Sequence, residues 1–246
     1  MTVNEVWAQL ETDMKWRQDE LRALSNLQMT MKDNVEKGRL RRVLLVMLYA
    51  HAEGFCKIAF LTYINAVNKV AMTCSSAIEP LVAAAFSDVF HALTYGDPKQ
   101  KVFPLPPPPD NKLIIFARQR EFITELPRLL ARPLEIPDTA VNTEDNLTSH
   151  VVKRNLYRLG FPEDLLSSYD AELDELVKRR NNIAHGADSD PVKESDYERL
   201  RKAVFQAMDE LTLGVVSAVE NTNFLRTRPG PVALPANNPR SDSLSG

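Results

Sequence analysis

Apolar positions three and four residues apart recur along most of the chain, the period of helices with one buried side. From Val3 to Ser25, the residues Trp7, Leu10, Met14, Leu21 and Leu24 are spaced by three, four or their sum, which predicts one helix buried along that stripe. A second helix is expected over roughly Gly38 to Met72. Leu40, Leu44, Met47, Phe55 and Ile58 mark its inner side, and Arg39, Arg41 and Arg42 open it. Ser75-Ser76 interrupt the pattern, Pro80 suits the first turn of a short third helix, and Gly96-Asp97-Pro98 stops it.

Between Phe103 and Asp110 the chain holds four consecutive prolines, Pro106 to Pro109. They force an extended conformation in which no helix can form. The segment reads as a stiff surface connector or as a ligand for a proline-binding domain. Asn111 to Ala131 predicts another helix, with Leu113 to Phe116 as an alternative short strand. Arg132 to Asp145, with Pro133 and Pro137, is expected to be loop. Asn146 is a candidate N-cap for a helix ending at Gly160. Ser167, Ser168 or Asp170 would cap the next, which carries Leu173, Leu176 and Val177. Ser195 and Glu198 have capping-box spacing ahead of a last helix with Leu200, Val204, Met208, Leu211 and Val215 inward. The expected architecture is all-α, one helical domain over residues 1–225 and a flexible tail over 226–246 rich in Pro, Asn and Ser.

Composition narrows the function classes. A formal charge of -3 argues against a non-specific polyanion binder, which would carry a basic excess. Two cysteines, Cys56 and Cys74, sit among apolar helical residues and read as core residues of a protein from a reducing compartment. Two Cys and four scattered His give no metal-ligand spacing, so neither metal nor cofactor is expected. Met1 to Asp19 holds Glu5, Glu11 and Asp13 and no apolar signal core, and the longest apolar run, Val43 to Ala50, is too short to span a bilayer. The expectation is a cytosolic protein with no membrane partner.

Candidate chemistry is concentrated in Arg179-Arg180-Asn181-Asn182-Ile183-Ala184-His185-Gly186. With four His in the chain, chance supplies about 0.3 Arg–His pairs at this separation, so context must decide. Arg180 falls on the inward line of Leu173, Leu176 and Val177, where a charge is costly unless paired or set in a wet cleft. Gly186 can take the left-handed conformation that ends a helix. That puts His185 in the last turn, where exposed carbonyls and the dipole favour imidazolium, a state useful in acid–base catalysis. Five residues of regular helix turn two side chains about 140° apart. Either the helix loosens near His185, or a second copy of the chain completes the site around a two-fold axis. Spacing and burial fit at least as well an ordinary arrangement, in which His185 caps carbonyls and Arg180 pairs with a carboxylate.

The segment Arg180 to Gly186 resembles the R-x4-6-H motif of the HEPN superfamily, including the polar residue after the Arg. Leu44-Leu45-Val46-Met47-Leu48-Tyr49-Ala50-His51-Ala52-Glu53-Gly54-Phe55-Cys56-Lys57 resembles a characteristic helix of the bacterial MAE-type HEPN-like nuclease branch, with Ala52 where that branch commonly has Trp. Asn146-Leu147 through Leu159-Gly160 resembles its third landmark. The resemblance implies an up-and-down helical bundle that dimerises with the motif in the cleft between protomers. In catalytic members it also implies a metal-independent endoribonuclease. His185 would then move protons, Arg180 would stabilise the scissile phosphate and Asn181 would orient either.

Tyr49, Glu53 and Lys57 share one helix face. Tyr49 and Glu53 are candidate supports of the pair, or else a core residue and half of a Glu53–Lys57 surface pair. His51 faces away, in a structural or exposed role. Lys178, Arg179, Lys153, Arg154 and Arg158 are candidate RNA contacts, or else solvated surface. His91 and His150 have no recognisable partners. The resemblance implies an RNA substrate, a homodimer and an antitoxin or defence-system partner protein. The competing readings are a HEPN interaction or nucleotide-binding module without catalysis, and an antitoxin-like regulatory partner.

Overall fold

The computed structural model describes residues 1–95, 103, 105, 106, 108–142 and 146–226. The expected stop at Gly96-Asp97-Pro98, parts of the proline run and the tail beyond Arg226 lie outside them. Eight α-helices follow one another: α1 (Val3–Thr30), α2 (Asn34–Asn68), α3 (Glu79–Ala85), α4 (Ser87–Tyr95), α5 (Ile114–Ala131), α6 (Ser149–Leu159), α7 (Asp170–Ala184) and α8 (Glu194–Glu220). The described residues contain isolated β-bridges but no strand, and the molecule is all-α as expected.

Helix α1 starts at a reciprocal cap. Glu5 N–H donates to Thr2 Oγ1 (3.2 Å), and Thr2 N–H donates to the Glu5 carboxylate (2.9 Å), satisfying two otherwise orphaned donors. Its buried line is Val6, Leu10, Met14, Arg17 and Leu21. Trp7 is displaced from the expected stripe, 41% exposed, because Val6 is the residue a full turn before Leu10.

Only Met31, Lys32 and Asp33 separate α1 from α2, short enough to make the helices antiparallel neighbours. Asp33 caps α2 by accepting from Val35 N–H (2.8 Å). The helix therefore begins four residues before Gly38 and ends at Asn68, not Met72. Arg41 lies well inside the helix and is buried. It donates to the Val192 carbonyl (2.7 Å).

Helix α2 packs against α1, α7 and α8, so Leu44, Leu45, Leu48, Phe55, Ala59, Phe60 and Ile64 are fully enclosed. Burying each large side chain contributes about 1.5–3 kcal/mol. Over its most apolar 18 residues α2 has a mean hydropathy of 1.5, long and apolar enough to cross a membrane. Here 56% of that stretch is buried inside the protein.

Several element ends differ from expectation. The short third helix is two, α3 and α4, broken at Phe86 (φ −97°, ψ 15°), with Pro80 in the first turn of α3. Leu113 to Phe116 enter α5 instead of forming a strand. Phe103 is buried, and Leu105 is pinned to α5. Leu105 N–H donates to Glu121 (2.8 Å), and Arg118 donates to the Leu105 carbonyl (2.9 Å). Thr148 caps α6, in place of Asn146, by accepting from Val151 N–H (3.3 Å). Gly160, at φ +78°, ends that helix as expected. A 3-10 turn over Ser167–Tyr169 leads into α7, which has no side-chain cap. Ser195 and Glu198 form no capping box, because α8 already starts at Glu194 after Lys193, which leaves Ser195 inside the first turn, and Glu198 accepts from Arg201 (2.7 Å) instead.

Candidate functional site

Helix α7 runs its buried line Leu173, Leu176 and Val177 against the core. Arg180 is the next residue on that line and is half-buried. Its guanidinium carbon lies 4.0 Å from the centre of the Tyr49 ring on α2. A cation over an aromatic face is stabilised by about 0.5–2 kcal/mol, most when water is excluded.

Tyr49 is 4% exposed, and its hydroxyl accepts the Leu147 N–H (2.9 Å). Burial pushes the Tyr49 phenol up, against the opposing pulls of the Leu147 N–H and of Arg180, which acts by a hydrogen bond and by its charge. The ring therefore stays neutral, a π-face for Arg180 and an acceptor for Leu147. One residue beyond Arg180, the Asn181 side-chain amide donates to Asn146 Oδ1 (3.1 Å). The α2 segment, the Asn146-Leu147 pair and the motif helix thus meet at one place.

Helix α7 ends at Ala184. His185 leaves the regular helix (φ −90°, ψ 4°), and its N–H still reaches the Asn181 carbonyl (2.9 Å). Gly186 is left-handed at φ +71°, where a residue without a Cβ adds no strain. Gly186 N–H then reaches the Ile183 carbonyl (3.2 Å), and Ala187 N–H reaches that of Asn182 (2.8 Å). These bonds satisfy the last carbonyls and set His185 on the exposed rim. The helix does change course at His185, and the two motif side chains still diverge: Arg180 turns to the core, and His185 is exposed.

Glu53 lies one turn beyond Tyr49, half-buried. It adds to the upward push on the Tyr49 phenol, so it belongs to this neighbourhood. Lys57 is exposed, and no Glu53–Lys57 ion pair forms among the described residues.

The candidate RNA contacts separate into different environments. Arg179 bonds Glu175 (2.7 Å) and Asp196 (3.3 Å), stapling α7 to α8. Lys153 bonds Asp170, stapling α6 to α7. Arg154 is half-buried. Arg158, with Tyr157 and Pro80, lines a separate hollow of about 470 Å³ between α3 and α6. Lys178 stands exposed beside Asn181.

Residues the sequence did not single out also converge here. Ser149 donates from both its N–H and its hydroxyl to Asp174 (2.8 Å each), clamping the start of α6 to α7. Asn146, read from sequence as a helix cap, is instead the tether of Asn181.

The other titratable candidates lie elsewhere. His51 is buried with Nε2 3.0 Å from Glu20 and packs edge-on to Trp16, which is the structural role and not the exposed one. His91 has a partner after all, the Tyr95 ring at 4.7 Å. Both thiols are buried and unpaired, and burial pushes Cys56 up to about 12.

No curated protein and no solved structure matches the chain. The RiboL-PSP-HEPN family does match it, over residues 12–213, from the first half of α1 to the last third of α8. That span includes the Arg180–Tyr49 contact, the Asn146–Asn181 tether and the helix end at His185. The chain therefore belongs to the RiboL-PSP-HEPN family.

Proposed function

We propose that this chain is an endoribonuclease that cleaves RNA by attack of a ribose 2′-hydroxyl on the adjoining phosphate. The observation that carries the reading is the placement of the pair. Arg180 is held against Tyr49 at the meeting point of three segments, while His185 stands in solvent at the helix end.

In the reaction the 2′-hydroxyl loses its proton and its oxygen bonds to phosphorus. The bond to the 5′-oxygen breaks, and that oxygen takes up a proton. The products are a 2′,3′-cyclic phosphate and a 5′-hydroxyl, and the step balances without a cofactor. His185 moves one of these protons. The planar fork of Arg180 suits the phosphate oxygens and the charge that builds on them. Asn181, tethered to Asn146, orients the phosphate. Tyr49 and Glu53 position Arg180.

Because the two side chains diverge within one chain, the complete site takes Arg180 from one protomer and His185 from its copy across a two-fold axis. Among the cations, Lys178 is the one best placed to meet RNA beside Arg180. Arg154 and Arg158 extend a path along α6. Arg179 and Lys153 contribute little, since carboxylates already hold them.

A cytosolic setting suits the two buried thiols. The resemblance of Leu44 to Lys57 to the MAE-type branch supports a bacterial defence or toxin–antitoxin system, with an antitoxin or other defence protein as partner.

One observation favours a second reading. The chain is acidic overall and the candidate cations Arg179 and Lys153 are matched by carboxylates, as suits an interaction or nucleotide-binding module without catalysis, including an antitoxin-like regulatory partner.

Incubating a mixed RNA pool with purified wild type and His185→Ala in EDTA, then analysing the end groups, separates the readings. Cyclic-phosphate ends from wild type alone support the nuclease. No cleavage, or equal cleavage by both proteins, turns the reading to the interaction module.

A further inference from the structure

A groove of about 550 Å³ runs between the first turn of α6 and the outer face of α7, in the size range of small-ligand sites. Asn181 forms part of its wall, so the groove begins one residue from Arg180. Its polar groups fall into two sets.

The first set is already engaged. Both oxygens of Asp174 are taken by Ser149, and Asn181 is taken by Asn146. The second set is unengaged among the described residues. Lys178 makes no ion pair, although Arg179 beside it is matched by carboxylates. His150 is exposed, and its ring makes no hydrogen bond or ring contact. Asn182 is fixed through its backbone, whose carbonyl accepts from Ala187 (2.8 Å) and Asp188 (3.2 Å), while its side-chain amide makes no hydrogen bond.

The groove therefore offers one cation, one flat ring and one amide on a clamped frame. Those are the three groups that single-stranded nucleic acid uses: neutralisation of a phosphate, stacking of a base, and a donor–acceptor pair for the base edge. We propose that this groove is a nucleotide subsite of the ribonuclease, holding the single-stranded RNA unit next to the phosphate bound at Arg180. The proposal rests on the nuclease reading for its substrate class. In it Lys178 meets the phosphate, His150 stacks on the base and Asn182 bonds the base edge. An amide can satisfy adenine at two atoms at once, so adenine is the preferred occupant. The three side chains position substrate and take no part in moving protons.

The test is fluorescence anisotropy with a labelled, fully 2′-O-methylated RNA of mixed sequence, which cannot be cleaved through its 2′-oxygens. Wild type, His150→Ala, His150→Phe, Lys178→Ala and Asn182→Ala are compared at several salt concentrations, each checked for unchanged melting temperature. We expect His150→Ala to weaken binding about 5- to 100-fold, with rescue by His150→Phe, as stacking requires. Lys178→Ala should lower the salt slope by about one counterion. With cleavable RNA, the three alanine variants should raise KM and leave kcat within about twofold.

Unchanged affinity in both His150→Ala and Asn182→Ala would overturn the subsite, even if wild type cleaves. Binding lost in the variants while wild type leaves no cyclic-phosphate ends would keep the subsite and remove the nuclease reading. No binding of RNA by wild type would overturn the subsite outright.

Discussion

The Arg180 guanidinium carbon sits 4.0 Å from the centre of the Tyr49 ring, and the hydroxyl of that same Tyr49 accepts the Leu147 N–H at 2.9 Å. One buried aromatic therefore holds the motif arginine by its face and the start of the α6 segment by its edge. Two substitutions separate the ring from the hydroxyl, which Arg180 also bonds. Tyr49→Phe keeps the ring under Arg180 but leaves the buried Leu147 N–H without its acceptor, at a cost of about 1–3 kcal/mol. Tyr49→Ala loses the ring as well and should cost about 3–5 kcal/mol, as for large core truncations. Urea unfolding reads the difference. RNA cleavage should fall far more in Tyr49→Ala than in Tyr49→Phe, and equal loss in both would place the contribution in the hydroxyl and not in the ring.

The helix end at His185 is anchored by the segment that leads on to α8. The chain returns to α2 where Pro191 crosses Gly38, and a Cβ at Gly38 would stand 2.4 Å from Pro191 Cβ and 3.1 Å from its Cα. Those are backbone-borne atoms that cannot step aside alone. Gly38→Ala should force the segment off α2, disturbing the bonds from Val192 N–H to the Gly38 carbonyl (3.1 Å) and from Arg41 to the Val192 carbonyl. We expect a loss of about 1–3 kcal/mol. Gly186→Ala meets no neighbouring atom within 4 Å, so its cost is only the left-handed strain, about 1–2 kcal/mol. Thermal melts of the two variants check the order.

Acidification should weaken the fold through His51. Burial, the largest influence, holds its pKa below the ordinary histidine value of 6.5. Arg17 pushes the same way, and Glu20 and Asp13 pull upward. A histidine with a depressed folded pKa is protonated more readily in the unfolded chain. Its contribution is intact above about 6.5, declines as pH falls below that value, and stops declining below the folded pKa. Melting temperatures of wild type and His51→Gln between pH 8 and pH 5 should keep a constant separation above about 6.5 and converge as pH falls below it. Parallel curves would assign the acid sensitivity to other groups.

The inner line of α7 and the left-handed stops at Gly160 and Gly186 were legible in the sequence, because each arises from local spacing and local backbone preference. The partners of polar side chains were not. Asn146 has the chemistry of a helix cap, yet Thr148 caps α6 and the Asn146 amide oxygen bonds Asn181, 35 residues away. Ser195 and Glu198 have the spacing of a capping box, but the helix begins at Glu194, too early for Ser195 to cap it. Lys178 and Arg179 look alike in sequence. They differ because Glu175 and Asp196 fall within reach of Arg179 and not of Lys178. The HEPN resemblance directed attention to Arg180 and His185. The groove with His150 and Asn182 carried no sequence signal, because its shape depends on how α6 is clamped to α7.

The central claim is a site shared between two chains, and complementation tests it most directly. Arg180→Ala and His185→Ala proteins are purified separately, each inactive on RNA, then mixed in equal amounts under conditions that exchange protomers. If Arg180 of one chain works with His185 of the other, half the dimers become mixed and each has one intact site. Cleavage should then return to about one quarter of the wild-type rate. No recovery, with exchange verified by a tagged copy, would contradict a shared site.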